Sequence, residues 1–204
     1  GDPAANPEIV EILDYVVTHI HKDAYIVMNT NGGLGSTKQW KAIGNILKNN
    51  DKYKVFFSVD GLEDTNHLYR RGVLWNRVDE NIRAYTSTGA KGIWDYLLFE
   101  YNKHQVEQAK VKCKEWGLKD IRFKEPYGFF WDNKYHERGV YDKQGNLLYT
   151  LSVSPESVHG VAKIVNTTSP ISVNENVNET KFKCKSLLSW GTELMIHVDG
   201  TVFP

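Results

Sequence analysis

The chain has 204 residues, room for one domain with a real core and part of a second. Its 25 lysines and arginines balance 25 aspartates and glutamates, which removes any global electrostatic case for a nucleic-acid or anionic-membrane partner. Two cysteines, Cys113 and Cys184, make no disulfide framework, and no apolar run nears the roughly 20 residues of a membrane span, so a soluble cytoplasmic protein is the default.

Asn6, with Pro7 and Glu8 behind it, predicts a helix start. Ile9, Ile12, Leu13, Val16, Val17 and Ile20 then mark one apolar face at helical spacing. Residues 25–28 predict a strand that runs into a polar, Gly-rich tract over 29–33. Thr37 precedes a second helix whose inner face carries Trp40, Ile43, Ile46 and Leu47, and 55–59 is the next strand. A long loop over 60–72 leads to a helix over 75–85 with Val78 and Ile82 inward. Residues 93–99 read as a strand apolar almost throughout, as when both faces are covered. Asn102 with Gln105 resembles a capping box for a helix carrying Val106, Ala109, Cys113 and Trp116 and stopping at Gly117. Residues 120–124 are the last strand of this run.

Helix and strand signals alternating in this way predict right-handed crossovers and an α/β fold with a parallel sheet. We place the strands in a barrel or partial barrel, with any site at their C-terminal ends. Beyond Pro126 the rhythm stops. Residues 127–136 read as aromatic and irregular, with Phe129, Phe130 and Trp131 packing the barrel mouth. Val140 and Tyr141, a turn over 142–146 and a strand over 147–151 predict a hairpin. Residues 152–180 read as a connector, and 194–198 as a strand ending in an Asp199-Gly200 turn.

Several polar groups follow the predicted strands: Asp2, Asn29 and Asn31 in the 29–33 tract, and Ser58 with Asp60. Any one of them is more often turn geometry than chemistry. Three such tracts at one end of a sheet point to a ligand pocket. In the 60–72 loop, adjacent Arg70 and Arg71 suit a bidentate clamp on carboxylate or phosphate, although a solvated loop has the same composition. His67 has no partner at metal-ligand spacing, and Cys113 falls on an apolar helix face. No nucleophile elbow, Walker loop, HExxH or Rossmann fingerprint occurs; Gly32-Gly33-Leu-Gly35 lacks the spacing of a dinucleotide loop.

One combination is more specific. Gly1-Asp2-Pro3 with Asn6-Pro7-Glu8, then Asn29-Thr-Asn-Gly32, then Phe57-Ser-Val-Asp-Gly61 with His67 and Arg70, resembles the radical S-adenosylmethionine (radical SAM) enzymes in order and spacing. Residues 106–117 followed by Ile121-Arg-Phe123 resemble that family's passage from fifth helix to sixth strand. Cys184 with 196–204 is similar to the opening of the SPASM extension, which holds auxiliary iron–sulfur clusters. The resemblance implies a partial (βα)6 barrel over 1–126, a barrel-mouth hairpin and connector over 127–183, and the start of a SPASM-like extension over 184–204.

The resemblance also implies a cofactor pair. S-adenosylmethionine (SAM) would chelate a [4Fe–4S] cluster held by a CxxxCxxC motif, whose three thiolates leave one iron open. An electron donor would drive cleavage of SAM to a 5′-deoxyadenosyl radical that abstracts hydrogen from a peptide or protein substrate. Gly1 and Asp2 fall on the family's Gly-Gly-Glu motif, which faces the SAM ammonium. Ser58 maps to a serine contacting the ribose or carboxylate, Arg70 to a basic partner of that carboxylate, and Asn29 and Asn31 to the ribose side; Asp60 joins the same cofactor-binding set. Cys184 is a candidate ligand of an auxiliary [4Fe–4S] cluster. The chain departs from the pattern in having Asp for Glu at position 2 and no CxxxCxxC, for which Cys113 and Cys184 cannot substitute. The expectation is that the first strand and cluster loop lie before Gly1, that a cysteine follows Pro204, and that this segment alone is inactive. Two other readings stay open: a cluster-free barrel that serves as a binding module, and an unrelated α/β barrel enzyme using Asp2, Asp60 and Arg70 on an anionic metabolite.

Overall fold

A strand can lay an apolar stripe on either of its faces, and in this protein four consecutive strands lay theirs on the same one. The computed structural model describes residues 1–21 and 23–153, and the backbone of 193–196 and 202–203. In chain order the first part runs α1 (Ile9–His19), β1 (Tyr25–Thr30), α2 (Thr37–Leu47), β2 (Tyr53–Ser58), α3 (Asn66–Tyr69), α4 (Trp75–Thr86), β3 (Gly92–Leu97), α5 (Val106–Glu115) and β4 (Asp120–Lys124). Strands β1 to β4 are neighbours in that order and all parallel, with Ile26 opposite Tyr53, Val55 opposite Gly92 and Ile93 opposite Asp120. A later strand, β9 (Glu193–Ile196), extends the sheet parallel to β1, and β10 (Val202–Phe203) pairs antiparallel with β9. The α/β fold with a parallel sheet agrees with the sequence reading.

Ile26 and Met28 from β1, Val55 and Phe57 from β2, Trp94 and Tyr96 from β3 and Phe123 from β4 share one parity. They enter a single core with Leu13, Trp40, Ile43, Val78, Ile82, Ala109 and Cys113 from the helices. Successive side chains on a strand point to opposite faces, so the helices that supply this core all lie on one side of the sheet. Both faces of β3 are covered, as its apolar run predicted, although helices cover only one of them. Its other parity holds Ile93 and Asp95, and Asp95 is charged and only 8% exposed.

The core is rich in aromatic rings. Trp40, Phe57 and Tyr85 meet at centroid distances of 5.4, 6.1 and 5.5 Å. Trp94 lies 4.6 Å from Trp116, and its indole N–H donates to the Val59 carbonyl at 2.7 Å. Between α4 and α5, Asp79 accepts from Arg83, Trp116 and Lys112. Burial pushes the Asp79 carboxyl up, but those three donors together outweigh it and bring the group down to about 2.

Helices α2 and α4 approach closely because position 44 has no side chain. A Cβ on Gly44 would stand 2.8 Å from the Tyr85 carbonyl oxygen and also meet the Thr88 hydroxyl. Backbone cannot yield cheaply, so overpacking is expected to outweigh the roughly 1 kcal/mol of helix propensity gained. Gly44→Ala should lower stability by about 1–2 kcal/mol in urea denaturation. A neutral or stabilised variant would show that the helices separate freely.

Several boundaries differ from the sequence reading for identifiable reasons. Asn6 does not cap α1; its Oδ1 accepts from Glu8 N at 2.8 Å and shapes a turn before the helix. β1 runs two residues further than expected because Asn29 and Thr30 pair with Phe56 and Phe57. Ser36, not Thr37, caps α2, accepting from Gln39 N at 3.2 Å. The 60–72 loop contains the short helix α3. The capping box at Asn102 and Gln105 is not formed: a 3-10 turn over Lys103–Gln105 precedes α5, and both side chains serve other loops.

Residues 127–136 are more ordered than their composition suggested. β5 (Phe130–Trp131) and β6 (Lys134–Tyr135) form a hairpin, turned by Asp132 and Asn133 at φ values of 51° and 58°. Positive φ at both central residues is the turn whose twist matches paired strands. The expected second hairpin is present as β7 (Arg138–Tyr141) and β8 (Leu147–Leu151). It is held by a small second core of Phe99, Phe129, Leu151 and Val153, against which Tyr69 and Tyr101 pack. Of the aromatic run only Phe129 is inside; Phe130 and Trp131 remain exposed, which corrects their expected role in filling the barrel mouth. Among the described residues no helix is long and apolar enough to cross a membrane.

Candidate functional site

Parallel strands deliver every following loop to one rim of the sheet, and the sequence-predicted residues sit there. The first group is Asp2 with the 29–33 tract. Asp2 Oδ1 accepts from Ala4 N, Oδ2 accepts from Asn31 N at 2.8 Å, and the Thr30 hydroxyl donates to both oxygens at 3.0 and 2.9 Å. Thr30 Oγ1 in turn accepts from Gly32 N, and Asn31 Oδ1 accepts from Gly33 N at 2.8 Å. Asp2 and Asn31 therefore shape the end of β1. Gly1 and Asn29 are exposed beside them. A Cβ on Gly33 would stand 2.7 Å from Val73, so this tract packs directly on the end of the 60–72 segment.

The second group is a buried polar knot centred on Asp60. Its Oδ2 accepts from Arg70 Nε at 2.5 Å and its Oδ1 from Leu97 N at 2.7 Å. The Asp60 backbone is held as firmly: N donates to Asn66 Oδ1, and O accepts from Tyr101 OH and Asn102 Nδ2 at 3.0 Å each. Gln105 Oε1 accepts from Leu62 N and Thr65 Oγ1, while its Nε2 donates to Asp64. The loops after β2 and β3 are thus sewn together through Asn102 and Gln105. Burial pushes the Asp60 carboxyl up to about 6, against the opposing pull of Arg70 and the Leu97 N–H. Asn66 Nδ2 is buried with no hydrogen-bond partner among the described residues.

Arg70 stands differently from Asp60. A quarter of its side chain is exposed, Nε alone is tied to Asp60, and no bond among the described residues engages either Nη. A guanidinium fixed through Nε presents its two terminal amines outward as a fork, the geometry that grips a carboxylate. His67 lies exposed on α3.

The third group lies on the sheet face opposite the helices. Ser58 is level with Asp95, and Asp95 with Arg122. Arg122 grips Asp95 through Nε and Nη2 at 2.6 and 2.8 Å, and Lys124 Nζ reaches the same carboxylate at 2.6 Å. The Arg122 guanidinium lies 3.9 Å from the Phe56 ring centroid. Ser58 Oγ has no hydrogen-bond partner among the described residues. The Asp95 charge helps raise Asp60, which puts the second and third groups in electrostatic reach of one another. Sequence reading missed Asp95, Arg122 and Lys124. The available signal was alternation: Asp120, Arg122 and Lys124 repeat at period two along β4.

Neither cysteine offers a cluster site within the described residues. Cys113 is buried on α5, and burial pushes its thiol up to about 11, the opposite of what a metal-ligating thiolate needs. Cys184, expected as an auxiliary-cluster ligand, lies outside the described residues. Among the described residues no three His, Cys, Asp or Glu side chains converge as a metal site.

No family model matches the chain, and no curated protein matches it. Three crystal structures of SuiB from Streptococcus suis resemble it, each at 18% sequence identity. The structure bound to S-adenosylmethionine aligns over 63% of this chain and 29% of that chain at a TM-score of 0.48. A second SuiB structure aligns over 66% and 31% at 0.49. The one bound to the precursor peptide SuiA aligns over 60% and 26% at 0.48. The chain thus spans about a third of SuiB or less, and what it does must be argued from its own residues.

Proposed function

We propose that residues 1–126 form part of a radical SAM-type (βα)6 barrel, whose C-terminal rim holds S-adenosylmethionine for reductive cleavage and hydrogen abstraction from a peptide or protein. The observation that carries the reading is Arg70: a guanidinium tied through Nε to a buried carboxylate, a quarter of its side chain exposed and neither terminal amine bonded among the described residues, in the loop that follows a parallel strand. It suits the carboxylate of an amino-acid ligand. Unpartnered Ser58, two residues before Asp60, suits a hydroxyl or carboxylate oxygen of the same molecule. A wall with helices on one side only is what a barrel requires, and it supports that architecture over a doubly wound sheet.

The residues fit the nucleotide in part and the cluster not at all. Asp2 keeps its carboxylate oxygens on Ala4, Thr30 and Asn31 and so holds the 29–33 tract in place; in this reading Gly1 and Asp2 face the ammonium, and Asn29 and Asn31 border the ribose. With two cysteines in 204 residues and no CxxxCxxC, the [4Fe–4S] cluster of this reading is held by residues outside the chain. The cofactors supply the difficult chemistry; Asp60, Arg70 and Ser58 bind and orient. In the same reading, 127–183 form a barrel-mouth hairpin and connector, and 184–204 begin a SPASM-like extension in which Cys184 serves an auxiliary cluster. An electron donor and a cytoplasmic location belong to it as well.

Titration calorimetry of the chain with S-adenosylmethionine tests the binding claim. Losing a charge-assisted hydrogen bond costs about 1.5–3 kcal/mol, so Arg70→Ala should weaken binding at least tenfold, and Ser58→Ala by a smaller factor. Unchanged affinity in both variants, or no binding by the native chain, overturns the mapping. The low cysteine count favours one second reading, a binding module without a cluster. Iron and sulfide analysis of the anaerobically purified product of the intact gene separates the two.

A further inference from the structure

We infer that Arg122 and Lys124, held by Asp95 on the sheet face opposite the helices, form a second anion site that takes a carboxylate or phosphate group of the substrate. The inference needs no bound nucleotide, because every group in it belongs to this chain. Asp95 is nearly buried and serves two cations at once, Arg122 at 2.6 and 2.8 Å and Lys124 at 2.6 Å. One negative charge against two positive ones leaves the constellation with a net charge of +1. The two cations, each about a third or more exposed, repel each other across a shared carboxylate, and an incoming oxyanion relieves that repulsion.

The donor inventory points the same way. A guanidinium has five N–H donors and an ammonium three. Arg122 uses two on Asp95 and Lys124 uses one, which leaves three and two without a partner among the described residues. The Phe56 ring stacks on Arg122 and Asp95 grips one edge, so the guanidinium plane is fixed before any ligand arrives. Among the described residues, the other charges on the face of β2 to β4 do not cancel the excess. Asp120 lies towards the opposite end of β4 with its carboxylate on Ile121 N, and Lys54 adds a further positive charge. Asp60 is committed to Arg70 and Leu97 N.

NMR titration of the full chain with inorganic phosphate and separately with glutarate, at constant ionic strength, tests the site. The Arg122 Nε–Hε resonance should shift saturably with at least one of the two, and the tighter probe identifies the anion class. Lys124→Gln, which leaves the bidentate Arg122–Asp95 pair in place, should weaken that response at least fivefold, and Lys124→Arg should restore it. Arg70→Gln should leave it unchanged. No saturable shift with either anion, a shift reproduced by chloride, or retention of the full response in Lys124→Gln reduces the triad to a structural ion pair and overturns the inference. Loss of the response in Arg70→Gln, with the amide spectrum of the folded chain retained, also overturns it, because the anion then sits at Arg70. Titration of Arg70→Gln with S-adenosylmethionine reports on the nucleotide separately, so either claim can fail alone.

Discussion

Asp60→Ala is expected to destabilise the protein by about 3 kcal/mol at neutral pH. Breaking a buried ion pair costs about 3–5 kcal/mol, and this one falls at the low end because Arg70 keeps a quarter of its side chain in water. Much of the loss comes from Leu97 N, which is left inside the knot without its acceptor. Asp60→Asn retains an oxygen for Leu97 N and should lose less. The two variants also differ from the native chain in pH response. Burial raises the Asp60 carboxyl from its ordinary 3.8 to about 6, so the folded state holds that proton more tightly than the unfolded chain does. The resulting stability is fully present below pH 3.8 and is lost as pH rises through about 6. Urea denaturation from pH 4 to 7 should show this decline in the native chain and a flatter profile in Asp60→Asn. Identical slopes would show that Asp60 titrates near its ordinary value.

Trp94→Ala should be more damaging still, at about 4–5 kcal/mol, the upper part of the range for truncating a large buried aromatic. Trp94 is fully buried and packs on Trp116 and on Tyr96, 5.7 Å away between centroids. Its removal also strands the Val59 carbonyl, one residue before Asp60. Trp94→Phe separates the two effects: it keeps most of the packing and loses the hydrogen bond, for about 1–2 kcal/mol. Thermal and urea denaturation of both variants measure the difference. Equal losses would place the whole effect in the hydrogen bond.

What could be read from sequence follows from how local each signal is. The faces of α2 and α4 were legible because Trp40, Ile43 and Leu47, and Val78 and Ile82, recur at helical spacing. The strand run was legible from apolar clusters between turn residues. Asp60 and Arg70 were legible as members of a polar loop but not as partners; a turn and the short helix α3 bring them together, and no periodicity records that. Asn102 and Gln105 misled because a capping box and a pair of loop-stitching amides share one sequence spacing. Asp95 escaped because an apolar run hides a single charge, and its partners Arg122 and Lys124 lie a helix away in the chain. Cys184 falls outside the described residues, and of the extension it would open only the backbone of 193–196 and 202–203 is described.

One feature of the sheet bears on how this chain can change over generations. Along β2 and β3 alternate residues face two unlike surroundings, Phe57 and Trp94 against the helices and Ser58 and Asp95 on the other side. Inserting or deleting one residue within either strand would exchange the two sets, driving a carboxylate into the aromatic interior and turning an indole outward. Length variation inside these strands is therefore closed to viable descendants, whereas the exposed turn over 142–146 can grow or shrink without that penalty.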